Sequence, residues 1–345
     1  MSSWTVRKLA VVPQHAGTRQ ARRTTCPSGV EYGRLIDIGR TLAEAQVSRP
    51  VLNKLKRELL HWVLSKPALF GRLYILAGRL APYLPASLRL AHPPQAMPTF
   101  TPTTQARKVI LLQGCVQPTM APNINLATQK VLQHIGIEVI QVEQVSCCGA
   151  ISHHLNKHEF ALRTLRRNID AWWPLVQAPG CEAIISNASG CGVMLKDYAH
   201  LLAHDPDYAD KAKTISDLVR DVSEIIRAED ISRLALPKTC KVAFHAPCTL
   251  QHGLRLKSKA QTLLQQLGME LTDIRDSHLC CGSAGTYSIL EPVIATQLKH
   301  AKLNNLLANQ PELIVTANIG CQHHLQSASP LPVVHWIEVI ADNLS

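Results

Sequence analysis

The sequence predicts an α/β protein made of two tandem Rossmann-like parallel-sheet repeats, preceded by a basic helical N-terminal segment. Three observations support this prediction. From residue 107 onward, short β-rich runs alternate with helical apolar periodicity, which is typical of a parallel sheet with crossover helices. Within the same region a set of cysteines recurs at matching spacings. The excess positive charge lies almost entirely before this region.

Length and composition exclude several classes of protein. The chain has 345 residues, of which 46% are apolar and 18% charged, so it can form two or three cores and is neither wholly disordered nor a disulfide-stapled miniprotein. No run of apolar residues has the length of a signal peptide core or a membrane span. We therefore expect a cytoplasmic protein. The eleven cysteines are then expected to be free thiols or metal ligands, because a reducing compartment disfavours disulfides.

The basic segment comprises residues 1–91. Residues 1–108 contain 17 Lys and Arg against 4 Asp and Glu, whereas the remaining chain contains 19 against 21. Such a charge attracts an acidic partner protein or anionic lipid, such as that of the inner membrane. No nucleic-acid-binding motif or interleaved aromatic residues accompany the charge, so we expect no nucleic-acid partner.

Two helices are predicted in this segment, at 51–64 and 68–84. In the second, leucines at helical spacing form one apolar face: Leu69, Leu73, Leu76, Leu80 and Leu84. This face predicts a helix that covers a core or a partner, and a membrane-surface helix is the alternative. Four prolines then predict an extended linker over 92–106.

The elements after the linker follow the same order twice. The first domain, 107–204, contains strands predicted at 109–113, 137–142 and 183–187, with helices at 123–135 and 155–176. The second domain, 239–345, contains strands predicted at 241–245, 269–274 and 313–317, with helices at 256–267 and 292–307; residues 333–343 close the chain. Between the domains, apolar residues at helical spacing predict a connecting helix within 205–238: Ile215, Leu218, Val222 and Ile225.

The cysteines carry the strongest signal. In each half, a lone cysteine is followed 32 positions later by an adjacent pair and a glycine, and then by Gly-Cys. The two sets are Cys115, Cys147, Cys148, Cys191 and Cys248, Cys280, Cys281, Cys321. Equivalent cysteines are 133 positions apart, or 130 for the last pair. This spacing indicates a duplicated domain.

Every cysteine of these two sets follows a predicted strand, and the carboxyl ends of parallel strands converge where ligands bind. Four thiolates in one place suit an iron-sulfur cluster or a Cys₄ zinc site. Adjacent cysteines chelate one small ion poorly, which favours the cluster; zinc and inert core cysteines are the alternatives. Cys181 and Cys240 have no counterpart in the repeat and are expected to be ordinary thiols. His245, His252 and His278 flank the second set alone, where a hydrogen bond to a cluster is the alternative to packing.

The two cysteine sets resemble the duplicated cysteine-rich CCG domain of heterodisulfide reductases and their relatives. The segments TCPSGVEYGRL (25–35), NIDAWWPL (168–175), DSHLCCGSAGTY (276–287) and TANIGCQHHL (316–325) resemble the iron-sulfur subunit of bacterial glycolate oxidase. The resemblance extends from about residue 24 to the C-terminus. It implies that the eight repeat cysteines bind iron-sulfur clusters, expected to be of the 4Fe-4S type. It also implies that partner subunits carry FAD, oxidise glycolate to glyoxylate and send electrons toward the respiratory chain.

Two departures from the family pattern modify these expectations. Cys26-Pro27 resembles the end of a ferredoxin cysteine run, but Arg19 and Arg22 stand where two of its cysteines are expected. We therefore expect a chain without the ferredoxin clusters, truncated or altered at its N-terminus. The heterodisulfide reductase pattern also ends in Cys-x-x-Cys, and the first of these positions is Ala188 in one repeat and Asn318 in the other. Four thiolates per site favour a four-ligand cluster over the noncubane type.

The leading functional prediction is an electron-transfer subunit of a glycolate oxidase complex with no catalytic residues of its own. No dinucleotide-binding glycine motif or phosphate loop is present, which agrees with a relay. The alternatives are a thiol-disulfide reductase subunit, an iron-sulfur subunit of a lactate or glycerol 3-phosphate dehydrogenase complex, and a structural subunit with defunct sites.

Overall fold

The computed structural model describes residues 32–46, 48–83, 104–145 and 147–344. Cys26 and all but the last three residues of the predicted linker lie outside the described residues. The N-terminal part contains helices α1 (Tyr32–Gln46), α2 (Val51–Leu64) and α3 (Pro67–Leu80). The predicted helix at 51–64 is confirmed. The next predicted helix ends earlier, at Leu80, and continues as the single 3-10 turn Ala81–Tyr83.

Two four-stranded parallel sheets follow, with the same strand order. The first sheet has the order β2-β1-β3-β4 and the second β6-β5-β7-β8. The strands of the first are β1 (Arg107–Leu111), β2 (Ile137–Gln141), β3 (Cys181–Ser186) and β4 (Val219–Asp221). Those of the second are β5 (Cys240–His245), β6 (Met269–Leu271), β7 (Leu313–Thr316) and β8 (Val333–His335). The predicted fold class of two tandem Rossmann-like repeats is confirmed.

Helices cover the sheets and connect their strands. In the first repeat they are α4 (Gln117–Met120), α5 (Pro122–His134), α6 (Ala150–His154), α7 (His158–Val176), α8 (Ser189–Lys196), α9 (Tyr198–Leu201), α10 (Ala209–Leu218) and α11 (Ile231–Leu234). In the second they are α12 (Lys257–Gln266), α13 (Tyr287–Leu290), α14 (Pro292–Leu307), α15 (Ile319–Gln326) and α16 (Trp336–Asp342). A π-helical turn, Thr249–Gly253, precedes α12.

Two predicted elements differ from the structure. The segment 205–238, predicted as a connecting helix, contains α10 and then β4, which pairs with β3 at the edge of the first sheet. Helical spacing of apolar residues continues by coincidence past Leu218, and a three-residue strand is too short to show a period of its own. The predicted helix at 155–176 begins later, at His158, because Asn156, with φ +65°, separates α7 from the short helix α6 that precedes it.

The two repeats share one core. Apolar side chains from both sheets belong to a single buried cluster that includes Leu111 and Ile185 of the first sheet and Phe244 and Val315 of the second. Helix α5 of the first repeat packs against α16 of the second. At this junction His335 Nε2 lies 2.8 Å from the backbone oxygen of Asn187. The shared core holds the carboxyl ends of the two sheets in a fixed relation, which positions both cysteine sets.

Candidate metal centres

The first cysteine set lies at the carboxyl ends of three strands of the first sheet. Cys115 follows β1, Cys147 and Cys148 follow β2, and Cys191 lies in the first turn of α8, after β3. The thiols form a connected series in which Cys147 is hydrogen-bonded to Cys115 and to Cys148, and Cys148 to Cys191. The structure therefore brings together all four cysteines that the first repeat contributes to the predicted site.

The second set reproduces this arrangement. The Cys280 sulfur is hydrogen-bonded to the thiols of Cys248 and Cys281, and Cys281 is in turn hydrogen-bonded to Cys321. All four are buried. The hydrogen-bonding order of the thiols is the same in both repeats, as expected if a common ancestor of the two repeats held the same kind of ligand.

A glycine with a left-handed backbone follows each adjacent pair. Gly149 has φ +90° and Gly282 has φ +93°, a conformation that residues with a Cβ rarely adopt. A Cβ on Gly282 would lie 2.4 Å from the backbone oxygen of Ala295, and a Cβ on Gly149 would lie 2.8 Å from a methyl of Leu165. The glycines thus let each loop fold back against the helix beneath it.

One cysteine in each set is predisposed to ionise. It receives hydrogen bonds from the thiols on either side and from the N–H of the glycine that follows the pair, and together these lower its pKa well below the ordinary value. These cysteines are Cys147 and Cys280. The N–H to sulfur distances are 3.4 Å and 3.3 Å. Because the thiolate is the form that binds metals, both sites are prepared for metal ligation.

The separation of the sulfurs in the first site fits a cluster better than a single ion. In tetrahedral zinc sites, bonds of about 2.3 Å keep all donor atoms roughly 4 Å apart. The four thiols of the first site are all described, and no three of them lie mutually within 4.8 Å. A set of four sulfurs that extends beyond the ligand shell of one ion instead suits several irons that each take one sulfur. The donor set and the buried, largely apolar surroundings therefore fit an iron-sulfur cluster.

Neutral groups support the first adjacent pair from below. Asn168, on α7, donates from Nδ2 to the backbone oxygen of Cys147 at 2.7 Å, and Tyr198, on α9, donates its hydroxyl to that of Cys148 at 2.9 Å. Asn168 also donates to the Tyr198 hydroxyl at 2.9 Å. Neither residue was predicted to belong to the site. The available signal was the polar residue Asn168 within the mostly apolar buried face of α7.

A lysine occupies the equivalent place beneath the second site. Gly149 packs near Ala161 of α7, and Gly282 packs near Ala295 of α14, so these two alanines occupy equivalent positions in the repeats. Seven residues further along the two helices stand Asn168 and Lys302. Lys302 is 2% exposed, and its Nζ donates to the backbone oxygens of Asp276 and Ser277 at 3.1 Å and 3.3 Å. Burial lowers its pKa, and the nearby thiolates of the second site oppose that effect.

Of the histidines that flank the second site, His245 lies closest to the thiols. It is 3% exposed, its Nδ1 lies 3.1 Å from Thr316 Oγ1, and burial lowers its pKa to about 3. His252 contacts the backbone of His278. Cys181 and Cys240 begin β3 and β5, at the strand ends opposite the sites, and burial raises the pKa of both thiols.

Comparison with known proteins agrees with this geometry. The cysteine-rich domain family, CCG, matches residues 109–196 and 242–326, each range containing one cysteine set. The chain is 47% identical over 323 residues to the glycolate oxidase iron-sulfur subunit of Escherichia coli, across 93% of this chain and 79% of that protein. The chain belongs to the family of glycolate oxidase iron-sulfur subunits. It is therefore an iron-sulfur oxidoreductase subunit that contains two CCG domains.

Further relatives are more distant. The chain is 28% identical to the probable glycolate oxidase iron-sulfur subunit of Bacillus subtilis, across 88% of this chain and 74% of that protein. It is 25% identical to lactate utilization protein A of an Exiguobacterium species, across 68% of this chain and 98% of that protein. A crystal structure of a hypothetical protein from Helicobacter pylori matches with a TM-score of 0.51 at 10% identity, covering 100% of this chain and 77% of that one. This last likeness concerns the fold alone.

One side chain contacts both CCG sites. Asn318 accepts a hydrogen bond at Oδ1 from the N–H of Gly190, at 3.3 Å, and its Nδ2 contacts the sulfur of Cys321 at 3.6 Å. Gly190 directly precedes Cys191 of the first site. Ser189 N–H also donates to the Ala317 backbone oxygen at 3.2 Å. Asn318 stands where the heterodisulfide reductase pattern has a cysteine, and here it joins the sites.

The N-terminal helices lie beside the loops of both sites. Helix α2 contacts the first repeat through His61, whose Nε2 lies 3.1 Å from Ser152 Oγ, and through an ion pair between Glu58 and Lys157. From the same helix, Lys56 donates to the backbone oxygen of Ile289 in the second repeat at 2.6 Å. Ser152 and Ile289 follow the two CCG motifs closely, so α2 spans both sites.

The outer surface of these helices carries many large apolar side chains. Large exposed apolar side chains on α1 to α3 include Leu35, Leu42, Leu52, Leu55, Leu59, Trp62 and Leu76. Outside these three helices, the exposed large apolar side chains among the described residues are Tyr83 and, in the second repeat, Leu279, Ile289, Val293 and Ile294. Among the described residues, no helix combines the length and apolarity needed to cross a membrane.

Proposed function

We propose that this chain is the electron-transfer subunit of a glycolate oxidase complex. Flavin-containing partner subunits, with FAD as their cofactor, oxidise glycolate to glyoxylate, and this chain passes the electrons one at a time toward the respiratory chain. The observation that carries the proposal is the pair of thiol sets at adjoining sheet edges, joined through Asn318, in which every cysteine except the half-buried Cys191 is buried. The 47% identity to a glycolate oxidase iron-sulfur subunit supports glycolate as the substrate of the complex.

In this proposal the eight repeat cysteines hold two clusters of the 4Fe-4S type. When bound, such clusters supply reversible one-electron chemistry. The protein's own residues keep water away from the thiolates, orient the cysteine loops and fix the distance between the sites. The glycine N–H groups and the Asn318 amide place hydrogen-bond donors beside sulfur, where negative charge increases on reduction. No side chain of this chain is assigned a role in the oxidation of glycolate itself.

Electron passage between the sites has a short bonded route. It runs from Cys191 through the Gly190 N–H to the Asn318 amide, and from there to the Cys321 sulfur. The same junction is held by the Ser189 hydroxyl, which lies 2.7 Å from that of Thr249. Both ends of the route are anchored in the shared core, so the distance between the sites is set by the fold.

The exposed apolar surface of α2 supports docking of a partner subunit close to both sites. Helix α2 spans the loops of the two repeats and leaves Leu55 and Leu59 more than half exposed. Basic residues on the same segment favour an acidic partner surface. We place the complex in the cytoplasm, and a peripheral position on the inner membrane remains the alternative role for this surface.

The first experiment is the metal content of the full chain purified without oxygen. We expect a brown protein with iron and acid-labile sulfide in several-fold excess over the chain, and with little zinc. Stoichiometric zinc without sulfide would contradict the proposal. Co-expression with the flavin subunits then tests the electron path, because reduction of the clusters by glycolate, and not by lactate, is expected.

A second experiment tests the docking surface. We expect that Leu55→Glu combined with Leu59→Glu abolishes co-purification with the flavin subunits while iron content stays unchanged. Asn304→Glu, at an exposed position on α14, is the matched control and retains the complex. A complex that survives the double substitution but no longer binds vesicles of anionic phospholipid would assign the surface to the membrane.

The lactate and thiol-disulfide alternatives have less support. Lactate utilization protein A is only 25% identical to this chain, which favours glycolate over lactate. Disulfide chemistry of the heterodisulfide reductase type is associated with a fifth cysteine in each set, and Ala188 and Asn318 stand at those positions. The electron-transfer role accounts for both substitutions without any further reactive group.

A further inference from the structure

His245 forms the tightest group of metal-binding atoms in the described part of the chain. A ring nitrogen of His245 and the sulfurs of Cys281 and Cys321 all lie within 4.8 Å of one another. His245 is the last residue of β5 and is 3% exposed. Imidazole nitrogen and thiolate sulfur are both established iron ligands in clusters. The second site thus has a fifth donor atom within reach.

The ring is held in place by the neighbouring strand. β5 and β7 pair in a register that places His245 opposite Thr316, and the Nδ1 atom lies 3.1 Å from the Thr316 hydroxyl. A metal-binding histidine is commonly fixed in this way, by a hydrogen bond from its other ring nitrogen to a nearby polar group. The backbone register therefore orients the imidazole, and the orientation does not depend on a flexible loop.

The first repeat shows that the fold does not require a histidine here. His245 stands three residues before Cys248, and the residue three before Cys115 is Leu112. Leu112 is 2% exposed and belongs to an apolar cluster that includes Cys148. Burying an imidazole where leucine suffices costs free energy unless the ring is paired. A role for the ring beside the thiols of Cys281 and Cys321 accounts for the presence of a buried histidine here.

We propose, building on the electron-transfer function above, that His245 is a nitrogen ligand of the second cluster, alongside Cys248, Cys280, Cys281 and Cys321. The second site then has five donor atoms and the first has four. The extra donor is a neutral imidazole, so the two clusters differ in their ligands although their cysteines correspond one to one.

The test uses pulsed electron paramagnetic resonance of the reduced full chain, purified without oxygen, with ¹⁴N- or ¹⁵N-labelled histidine. The Cys148→Ser background removes the first cluster and isolates the second. We expect a strong nitrogen coupling that changes with the isotope, as for a directly bonded nitrogen. His245→Leu, which copies the first repeat, should abolish the coupling and shift the midpoint potential of the second cluster. His278→Leu is the matched control and should retain both.

His245→Cys separates ligation from folding. It offers a thiolate at the same position, so we expect cluster content to be retained while the nitrogen coupling disappears and the midpoint potential falls. A coupling that persists in both His245 variants, or one of the weak size typical of a hydrogen-bonded ring, would overturn the assignment. Absence of iron and sulfide from the unsubstituted protein would instead overturn the electron-transfer function itself. The two failures are therefore distinguishable.

Discussion

The two cysteine sites share one architecture but differ in what surrounds the sulfurs. Both have four thiols at the carboxyl ends of parallel strands and a left-handed glycine after the adjacent pair. Beneath the first pair lie the neutral groups Asn168 and Tyr198, and the charge that acts on Cys147 is that of the exposed Arg167, whereas the buried Lys302 lies beneath the second pair. Duplication has preserved the donor atoms, and the residues around them have diverged. The repeats are therefore structurally equivalent and electrostatically different.

This electrostatic difference predicts the direction of electron transfer between the two sites. A buried lysine favours the more negative, reduced form of a nearby redox centre, and an amide or a hydroxyl does so less strongly. Two identical centres would exchange electrons without preference, whereas centres of different potential give the transfer a direction. We therefore predict that the second site accepts electrons from the first. The following substitutions test this prediction, in order of decreasing expected effect.

The largest effect is expected from removing one cysteine of an adjacent pair. Cys148→Ser should remove most of the cluster signal of the first repeat and leave that of the second, and Cys281→Ser should do the reverse. Iron analysis and electron paramagnetic resonance of the reduced variants measure this, with about half of the iron expected in each. Cys181→Ser and Cys240→Ser are the controls, because these thiols lie at the opposite strand ends. Equal losses in all four variants would mean that the ligands are misassigned.

The glycines that follow the pairs should differ in their sensitivity to alanine. In Gly282→Ala the new Cβ meets the backbone oxygen of Ala295 at 2.4 Å, and in Gly149→Ala it meets the end of the Leu165 side chain at 2.8 Å. Backbone strain at positive φ costs about 1–3 kcal/mol in both. Only the clash at Gly282 requires a main-chain shift, adding about 1–3 kcal/mol.

Thermal unfolding and cluster content of the two glycine variants provide the measurement. We expect Gly282→Ala to lower the stability of the second repeat and its iron content clearly more than Gly149→Ala lowers those of the first. Gly136→Ala, where φ is also positive but nothing lies within 4 Å of the new Cβ, isolates the cost of backbone strain. If Gly149→Ala and Gly282→Ala are equally destabilising, the packing difference between the repeats has no energetic consequence.

Lys302 is the next test of the electrostatic difference. A unit charge about 7 Å from a redox centre changes its energy by on the order of 2 kcal/mol at an effective dielectric constant of about 20, or roughly 90 mV for one electron. Lys302→Gln should therefore lower the midpoint potential of the second cluster and leave that of the first nearly unchanged. Lys299→Gln, on the same helix with its Nζ near Ser327, is the control. Unchanged potentials in Lys302→Gln would remove the basis for a directed transfer.

The sequence was sufficient to predict the fold class and the eight cysteines that come together. Strand and helix periods are local properties, and the repeated spacing revealed that distant cysteines occupy equivalent loops. The fourth strand of the first sheet could not be predicted in this way, because β4 is only three residues long and follows α10 without a break in the apolar pattern. A short edge strand is recognisable only from the sheet to which it is added.

The residues around the sulfurs were also beyond the sequence. Asn168 lies 21 positions after Cys147, and Lys302 lies 22 positions after Cys280. A helical pattern does not indicate that their side chains point toward the backbone of the cysteine loop. Asn318 was noted because a cysteine was missing there. Its contact with Gly190 depends on the packing of one repeat against the other, which no local pattern encodes.

The smallest expected effect concerns this contact. Asn318 donates from Nδ2 to the Cys321 sulfur of the second site but only accepts a hydrogen bond from the Gly190 N–H beside the first. A donor beside sulfur stabilises the more negative reduced state, and one such bond contributes about 1 kcal/mol, equivalent to roughly 40 mV for one electron. Asn318→Ala should thus lower the midpoint potential of the second cluster by about that amount and leave the first almost unchanged.

Redox titration followed by electron paramagnetic resonance measures the two midpoints of Asn318→Ala separately. Ser189→Ala is the matched control, because it removes the contact with Thr249 without touching a sulfur, so both potentials should stay as they are. Equal shifts in both clusters of Asn318→Ala would show that the residue acts by holding the repeats together. The electrostatic difference between the sites would then rest on Lys302 and His245.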